Sequence, residues 1–586
     1  MTTHTIEGNR PRSPPAKASA ATISTFWLAL WAVFMAPAWF LPNHYPPWTA
    51  FHLDAWAGSA LLLPAIWLVC TSTAKSQWTA SQFVVLALVP LVWIQYTTGL
   101  VVHAGTAWIN CSYLLGLLVA WQTGARWEST SRGQPADGML LAIGLASFVS
   151  VGLQLHQWLQ LDRLDIWSMG GSSGRPYANL GQPNQLGTLL IWGLLALFWS
   201  ALRLRVRPAV AVAGAVFILF GLALTGSRTA WLAVLVLNGA FWYWRHLWPS
   251  RKTLWVVSAL TLYFFIAAFS IDVLPRILTL MSGAANYYAS DIVRTGTETR
   301  PAIWAMFLDA ALQRPWWGYG WGQVGMANSA VAVAHPPMHT FFSHSHNLFL
   351  DLVLWCGLPL GIAISAFLVF WFVSRAMRVR SAENAVLMMV LLVVANHAML
   401  ELPLHYAYFL LPVGIFLGAL EVRLGIRPIW AGPRWVSGAI VLATTVCLVL
   451  IVRDYARVEP AFQNLRYQWA RIKSPPAQVP DVLLLTQWRD FVRMVKLDDE
   501  ASLVAADMRW MQDMTSLYPV PGFFQLTAIA LAQKGRPELA AHWLSTLCSI
   551  SREVQCAEVK RHWIARAGKD PVLAKVPWPP NRTMLP

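Results

Sequence analysis

The chain has 586 residues, of which 56% are hydrophobic and only 12% charged, with a formal net charge of +16. That is about half the charge expected of a soluble protein and more apolar surface than one core buries, so the excess faces lipid. The basic residues are spread through short joints rather than gathered into a patch or stripe, which argues against a nucleic-acid partner.

Residues 1–23 read as a polar cytoplasmic tail carrying Arg10, Arg12 and Lys17. The apolar stretch from Ser24 to Leu41 reads as a first spanning helix rather than a cleaved leader, since no small-residue cleavage site is evident. Blocks long enough to cross about 30 Å of hydrocarbon recur along the chain. They lie near 24–42, 56–72, 81–98, 107–123, 138–157, 185–202, 208–225, 228–244, 254–273, 347–373, 384–400, 407–421 and 435–452. The expected fold is an all-α polytopic membrane protein of about 12–13 transmembrane helices, its membrane region spanning 24–453.

Short cytoplasmic loops retain Lys and Arg. With loops assigned alternately to the two sides, the clusters around Arg126, Arg203, Arg245, Arg375 and Arg423 all fall on the amino-terminal side, which is therefore cytoplasmic. The opposite joints hold few basic residues: Arg163, Arg175, Arg228, Arg276, Arg294, Arg300 and Arg314. Topology does not require these, so they are candidates for binding anions. An outward loop over about 274–346 is too long for a plain connector. Residues 454–586 form an outward, helical carboxy-terminal domain, in which apolar spacing on both sides of Lys534–Pro537 predicts a helical hairpin. Cys548 and Cys556 fall in this tail; if it is periplasmic they can join as a disulfide, and the sequence leaves that open.

No GxxxxGK[ST], HExxH, Rossmann glycine pattern or DxD occurs. Four stretches assigned to the outer side carry the polar chemistry instead: RPYANLGQPNQLGTLL from Arg175, TGSRTAWL around Arg228, the loop from Arg300 to HSHNLFLD, and LELPLHYAYFLLP from Leu400. His335, His339, His344 and His346 have no framing that suggests a metal site. In PWWGYG, Gly318 stands where N-linked oligosaccharyltransferases have an aspartate.

Taken in order over about 170–415, these stretches resemble the O-antigen ligase and polymerase (Wzy/WaaL-like) superfamily, and most closely its protein-glycosylating branch, the PglL-type bacterial O-oligosaccharyltransferases. The resemblance implies a glycosyltransferase of the inner membrane, with neither metal nor cofactor. Its active site on the periplasmic face moves a glycan from undecaprenyl diphosphate to Ser or Thr of a periplasmic or pilin-type protein. It implies that Arg228 and Arg300 bind the diphosphate and that His346 is the general base. A permanently charged guanidinium bonding two phosphate oxygens stabilises the leaving group as its charge grows. A placed imidazole takes the proton from an otherwise poor hydroxyl nucleophile. Gln182, Asn184, Gln185, Asn347 and Tyr406 are the expected substrate-binding residues. The close alternative is an O-antigen ligase acting on lipid A core sugar; from another class, it is a transporter of the lipid-linked oligosaccharide.

Overall fold

A computed structural model describes residues 24–161, 166–170, 175–204, 206–282, 300–497 and 506–578. The amino-terminal tail, Arg163, Arg294 and the Arg276 side chain lie outside the described residues.

In hydrocarbon, every backbone N–H and C=O must be satisfied within its own segment, which leaves an apolar block one local solution, the helix. All thirteen blocks take it. The first nine are α1 (Thr25–Met35), α2 (Phe51–Thr71), α3 (Ala80–Thr97), α4 (Ala104–Thr130), α5 (Gln134–Trp158), α6 (Pro183–Arg203), α7 (Pro208–Leu224), α8 (Arg228–Tyr243) and α9 (Lys252–Ser282). Between them and the rest come two shorter helices of the long loop, α10 (Arg300–Gln313) and α11 (Val324–Val331). The remaining blocks form α12 (Leu348–Ala376), α13 (Ala382–Ala398), α14 (Ala407–Arg423) and α15 (Trp435–Trp469).

Eight helices among the described residues are long and apolar enough to cross a membrane, and the shorter apolar helices Thr25–Trp39, Pro208–Leu224 and Ala382–Ala398 join them in the bundle. The protein is a multi-pass, all-α membrane protein. A two-stranded ribbon, β1 (Ser76–Trp78) with β2 (Trp430–Gly432), is the one extended pairing among the described residues.

The clustered arginines gather at one end of the bundle, where buried carboxylates hold them. Arg203 Nε lies 2.8 Å from Asp137, Arg423 Nε lies 2.7 Å from Glu128 while its guanidinium also meets Glu383, and Arg375 is 3.1 Å from Glu421. Each pair links two different helices, so this end is locked by charge as well as by packing.

At the centre, α14 lies against α4 with almost no space between the backbones. Gly414 and Gly418 on α14 face Ala120 and Gly124 on α4; a Cβ added at Gly418 would stand 2.1 Å from the Trp121 carbonyl, and one at Gly124 would stand 2.2 Å from the Ile415 carbonyl. Small residues four apart permit this approach, which is how helices associate where lipid removes the hydrophobic drive. The carboxylate of Asp54 on α2 then fixes the outer end of α14. It accepts the Ala407 N–H at 2.6 Å and the Tyr113 hydroxyl at 2.6 Å.

The final helix of the bundle does not stop where its apolar block ends near 452; α15 continues to Trp469 and carries the chain into a second hydrophobic core. That core is built by α16 (Thr486–Val495), α17 (Met508–Leu517), α18 (Pro521–Gln533), α19 (Pro537–Ile550) and α20 (Glu553–Ala567). The hairpin expected around Lys534–Pro537 is α18 and α19, turning through Gly535 at φ 73°. Asp454 Oδ2 accepts three successive backbone N–H groups, from Leu483, Leu484 and Leu485 at 2.8, 2.6 and 3.2 Å, which seats the start of this unit on α15. Cys548 and Cys556 are joined across the α19–α20 turn.

Replacing Gly418 by Leu forces a side chain into the Trp121 backbone. The expected outcome is a loss of folded protein corresponding to about 3 kcal/mol or more, read as a lower melting temperature and a smaller monodisperse fraction in detergent.

Candidate active site

At the end of the bundle opposite the arginine pairs, five side chains from three separate segments converge on one carboxylate. α13 ends at Ala398, and the chain cannot continue as helix because Pro403 disfavours the α conformation at the residue before it. In this break sits Glu401, 7% exposed. Burying an ionised carboxylate is costly unless charges and donors surround it. Here Arg300, at the first position of α10, lies 3.4 Å from Oε1, and Asn184 Nδ2 donates to the same oxygen at 3.1 Å. His346 Nδ1 lies 3.0 Å from Oε2, His344 Nε2 lies 3.8 Å away, and Gln182 Nε2 approaches at 3.5 Å. Burial pushes the Glu401 carboxyl up, but the imidazoles of His344 and His346, the second of them hydrogen-bonded to it, outweigh burial and hold the group well below the usual carboxylate range.

The tautomer of His346 follows. A carboxylate oxygen only accepts, so Nδ1 carries the proton, and in the neutral ring Nε2 keeps its lone pair. This is the orientation that a carboxylate imposes on a histidine base in hydrolytic triads. His346 has φ 59°, in the left-handed region that costs a residue with a side chain about 1 kcal/mol or more. The neighbouring bonds over-determine it. Ser345 N–H donates to Asp351 at 2.8 Å, Ser345 Oγ to the Asn347 carbonyl at 3.0 Å, and Trp304 Nε1 of α10 to the Ser345 carbonyl at 3.0 Å. The helix that carries Arg300 thus also holds the histidine segment.

Beside Glu401 opens a polar cavity of about 190 Å³, lined by Arg175, Arg228 and Arg300 together with Asn184, Thr229 and Glu401. Arg228 opens α8, whose Ser227 N-cap accepts the Ala230 N–H at 3.1 Å and donates to Asn184 Oδ1 at 2.7 Å. Arg175 Nε bonds the Thr225 carbonyl at 3.0 Å, fixing the turn before α8. Three guanidinium groups and a helix amino terminus on one cavity make an anion site.

Of the residues expected from sequence, the structure brings Arg228, Arg300, His346, Gln182 and Asn184 to one place. The other three lie beside it. Asn347 caps α12, its side-chain carbonyl accepting from Phe349 and Leu350, and Gln185 is buried and accepts the Tyr408 hydroxyl at 2.7 Å. Tyr406 packs against Tyr408, ring centres 5.3 Å apart. Arg175 was among the outward arginines expected as anion-binding candidates, whereas Glu401 was not given a role. A carboxylate within a Pro-broken apolar run was the available signal for Glu401, since an ionised group buried among apolar residues is costly unless it is paired.

The four loop histidines part company. His335 pairs with Asp309 at 3.0 Å and His339 bonds the carboxy-terminal unit, whereas the ligating atoms of His344, His346 and Glu401 lie within 4.8 Å of one another. A set of two imidazoles and a carboxylate suits a divalent cation. The guanidinium of Arg300 already lies on that carboxylate and opposes a second positive charge.

Known proteins match along the same segments. An "O-Antigen ligase" family description covers residues 213–365, which hold Arg228, Arg300 and His346, and "Protein glycosylation ligase" covers 176–199 at the start of α6. "Virulence factor membrane-bound polymerase, C-terminal" covers 385–549. The chain is 28% identical over 544 residues to the General O-oligosaccharyltransferase of Acinetobacter baylyi, spanning 90% of this chain and 93% of that protein. These matches liken the chain to the O-antigen ligase superfamily, and within it to the PglL-type O-oligosaccharyltransferases. The ComP-specific O-oligosaccharyltransferase of the same organism is 29% identical over 251 residues, covering 43% of this chain and 45% of that protein. Both relatives are named O-oligosaccharyltransferases, which supports glycosyl transfer and, at the family level, protein O-glycosylation.

Glu401→Gln removes the negative charge but keeps the shape. Transfer is expected to fall about 10²-fold or more with protein level retained, because the imidazole loses the group that sets its tautomer. Since the shift lowers the carboxyl, its contribution to stability is complete above the ordinary value of 4.5 and is lost as pH falls below it. The melting-temperature advantage of wild type over Glu401→Gln is therefore full at neutral pH and shrinks in acid.

Proposed function

We propose that the chain transfers an oligosaccharide from undecaprenyl diphosphate to a Ser or Thr hydroxyl of a periplasmic or pilin-type protein, at the periplasmic face of a bacterial inner membrane. The observation that carries this reading is the three-arginine cavity sharing the Glu401 carboxylate with His346. In the proposed step the acceptor oxygen attacks the anomeric carbon and gives its proton to His346 Nε2. The bond from that carbon to the diphosphate breaks, and the leaving oxygen takes the electron pair. Arg228 and Arg300, with Arg175 on the same cavity, neutralise the charge that grows there, an effect that strengthens toward the transition state. No metal takes part in this reading, and the pairing of Glu401 with Arg300 supports that.

Two observations support the sidedness. The arginine-rich end of the bundle is opposite the site, as a cytoplasmic surface requires. The disulfide between Cys548 and Cys556 suits an oxidising compartment for the unit that packs at the site's end. Against a transporter, Asp, Glu, Lys, Arg and His in α1–α8 and α12–α14 fall near the helix ends and leave the middle turns without an ionisable residue. The O-antigen ligase reading uses the same groups and differs in acceptor.

The test is reconstitution in proteoliposomes with purified lipid-linked glycan and a candidate pilin or periplasmic protein, the product read by mass spectrometry. A covalent glycoprotein without energy input is expected. His346→Ala should lower transfer about 10²- to 10⁴-fold with donor binding kept, and a chelator should leave the rate unchanged. Glycan appearing only on lipid A core would select the ligase reading, and movement of donor without product would overturn both.

A further inference from the structure

The carboxy-terminal unit grips the chain just before the histidine segment. His339, five residues before His344, donates its backbone N–H to the Ser549 carbonyl at 3.0 Å and its Nδ1–H to the Ser551 carbonyl at 3.2 Å; its Nε2 lies 3.5 Å from Glu553. All three partners lie between Cys548 and Cys556, the two ends of the disulfide. The turn gripping His339 is therefore a covalently closed loop, whose ends cannot separate as those of an ordinary helix–helix connection can.

The grip extends on both sides. Phe341 packs against the core of the carboxy-terminal unit, and the Phe342 N–H donates to Asn328 of α11 at 3.1 Å. α11 is itself held to the unit by Ser329 Oγ donating to the Ser516 carbonyl at 3.1 Å. His339 has φ 49°, so this backbone, like that at His346, is held in the left-handed region by its contacts. From Phe342 the chain runs through His344 to His346 with no regular secondary structure until α12 begins at Leu348. The segment is thus bounded by the Asp351 and Trp304 bonds at one end and by the closed turn at the other.

We propose that the disulfide-closed turn of residues 548–556 is a latch that positions His346, with His339 as the positioning residue it holds. This rests on the transfer reading above. His339 touches no reacting atom; it acts through five to seven residues of chain on the imidazole at Glu401. A base displaced by about 1 Å can cost on the order of 10²-fold in rate, whereas the arginine cavity stands on α8 and α10, which the turn does not touch. The latch therefore acts on the chemical step and not on donor affinity.

The experiment compares wild type, C548S/C556S, His339→Ala and His339→Asn as full-length chains in proteoliposomes, reading kcat and the donor KM separately. Asn keeps a donor in the position of Nδ1 and tolerates positive φ; Ala does neither. C548S/C556S and His339→Ala should each lose about tenfold or more in kcat with the donor KM within about twofold of wild type. His339→Asn should recover most of that loss, and reductant should bring wild type to the level of C548S/C556S. If the serine pair lowers yield, the two His339 variants still decide. Wild-type kcat in His339→Ala, a loss not recovered by His339→Asn, or a change confined to KM would overturn the latch. Absence of product from wild type would count against the transfer reading instead.

Discussion

A buried carboxylate organises this end of the molecule. Glu401 sits in a helix break among apolar residues, and its charge is tolerable there only because a guanidinium, two imidazoles and two amides reach it. Those groups come from the start of α6, the first residue of α10, the segment before α12 and the break itself, so satisfying one anion brings together parts of the chain more than 200 residues apart in sequence. The arrangement that neutralises Glu401 is also the one that selects the His346 tautomer and sets Arg300 on the cavity wall.

The scaffold makes that convergence possible by being rigid where it meets. The glycines between α4 and α14 let the two backbones touch, and Asp54 caps α14 from a third helix, so the strand of chain leaving Glu401 enters a fixed position. At the far end of the bundle, buried ion pairs tie α4, α5, α6, α13 and α14 together. Both ends carry charge and the middle is apolar, as the low dielectric of the bilayer interior demands.

The carboxy-terminal unit is not appended loosely. α15 runs unbroken from the bundle into it, Asp454 seats its first turn, and its helices contact the long loop through α11 and His339. A unit in that position lies beside the histidine segment, where an acceptor protein would have to arrive in a transfer reaction.

The sequence by itself determined the helices and the family likeness. Hydrophobic blocks in lipid have essentially one backbone solution, and all thirteen blocks became helices, with the α18–α19 hairpin where its spacing predicted. Motifs in order along the chain led to the PglL-type branch and to Arg228, Arg300, His346, Gln182 and Asn184. What it did not contain was partnership. Glu401 was visible as one residue of LELPLHYAYFLLP, and Arg175 as one of several outward arginines, but nothing local marked the first as a hub or the second as a cavity wall. Asn347 stood next to a candidate base and turned out to hold a helix end, because an N-cap is decided by where the backbone turns. The joining of Cys548 to Cys556, and the closeness of that turn to His339, likewise appear only in three dimensions. Helix formation is a local response to solvent, readable from composition; pairing of charges and bonds depends on distances between segments far apart in the chain, which only packing sets.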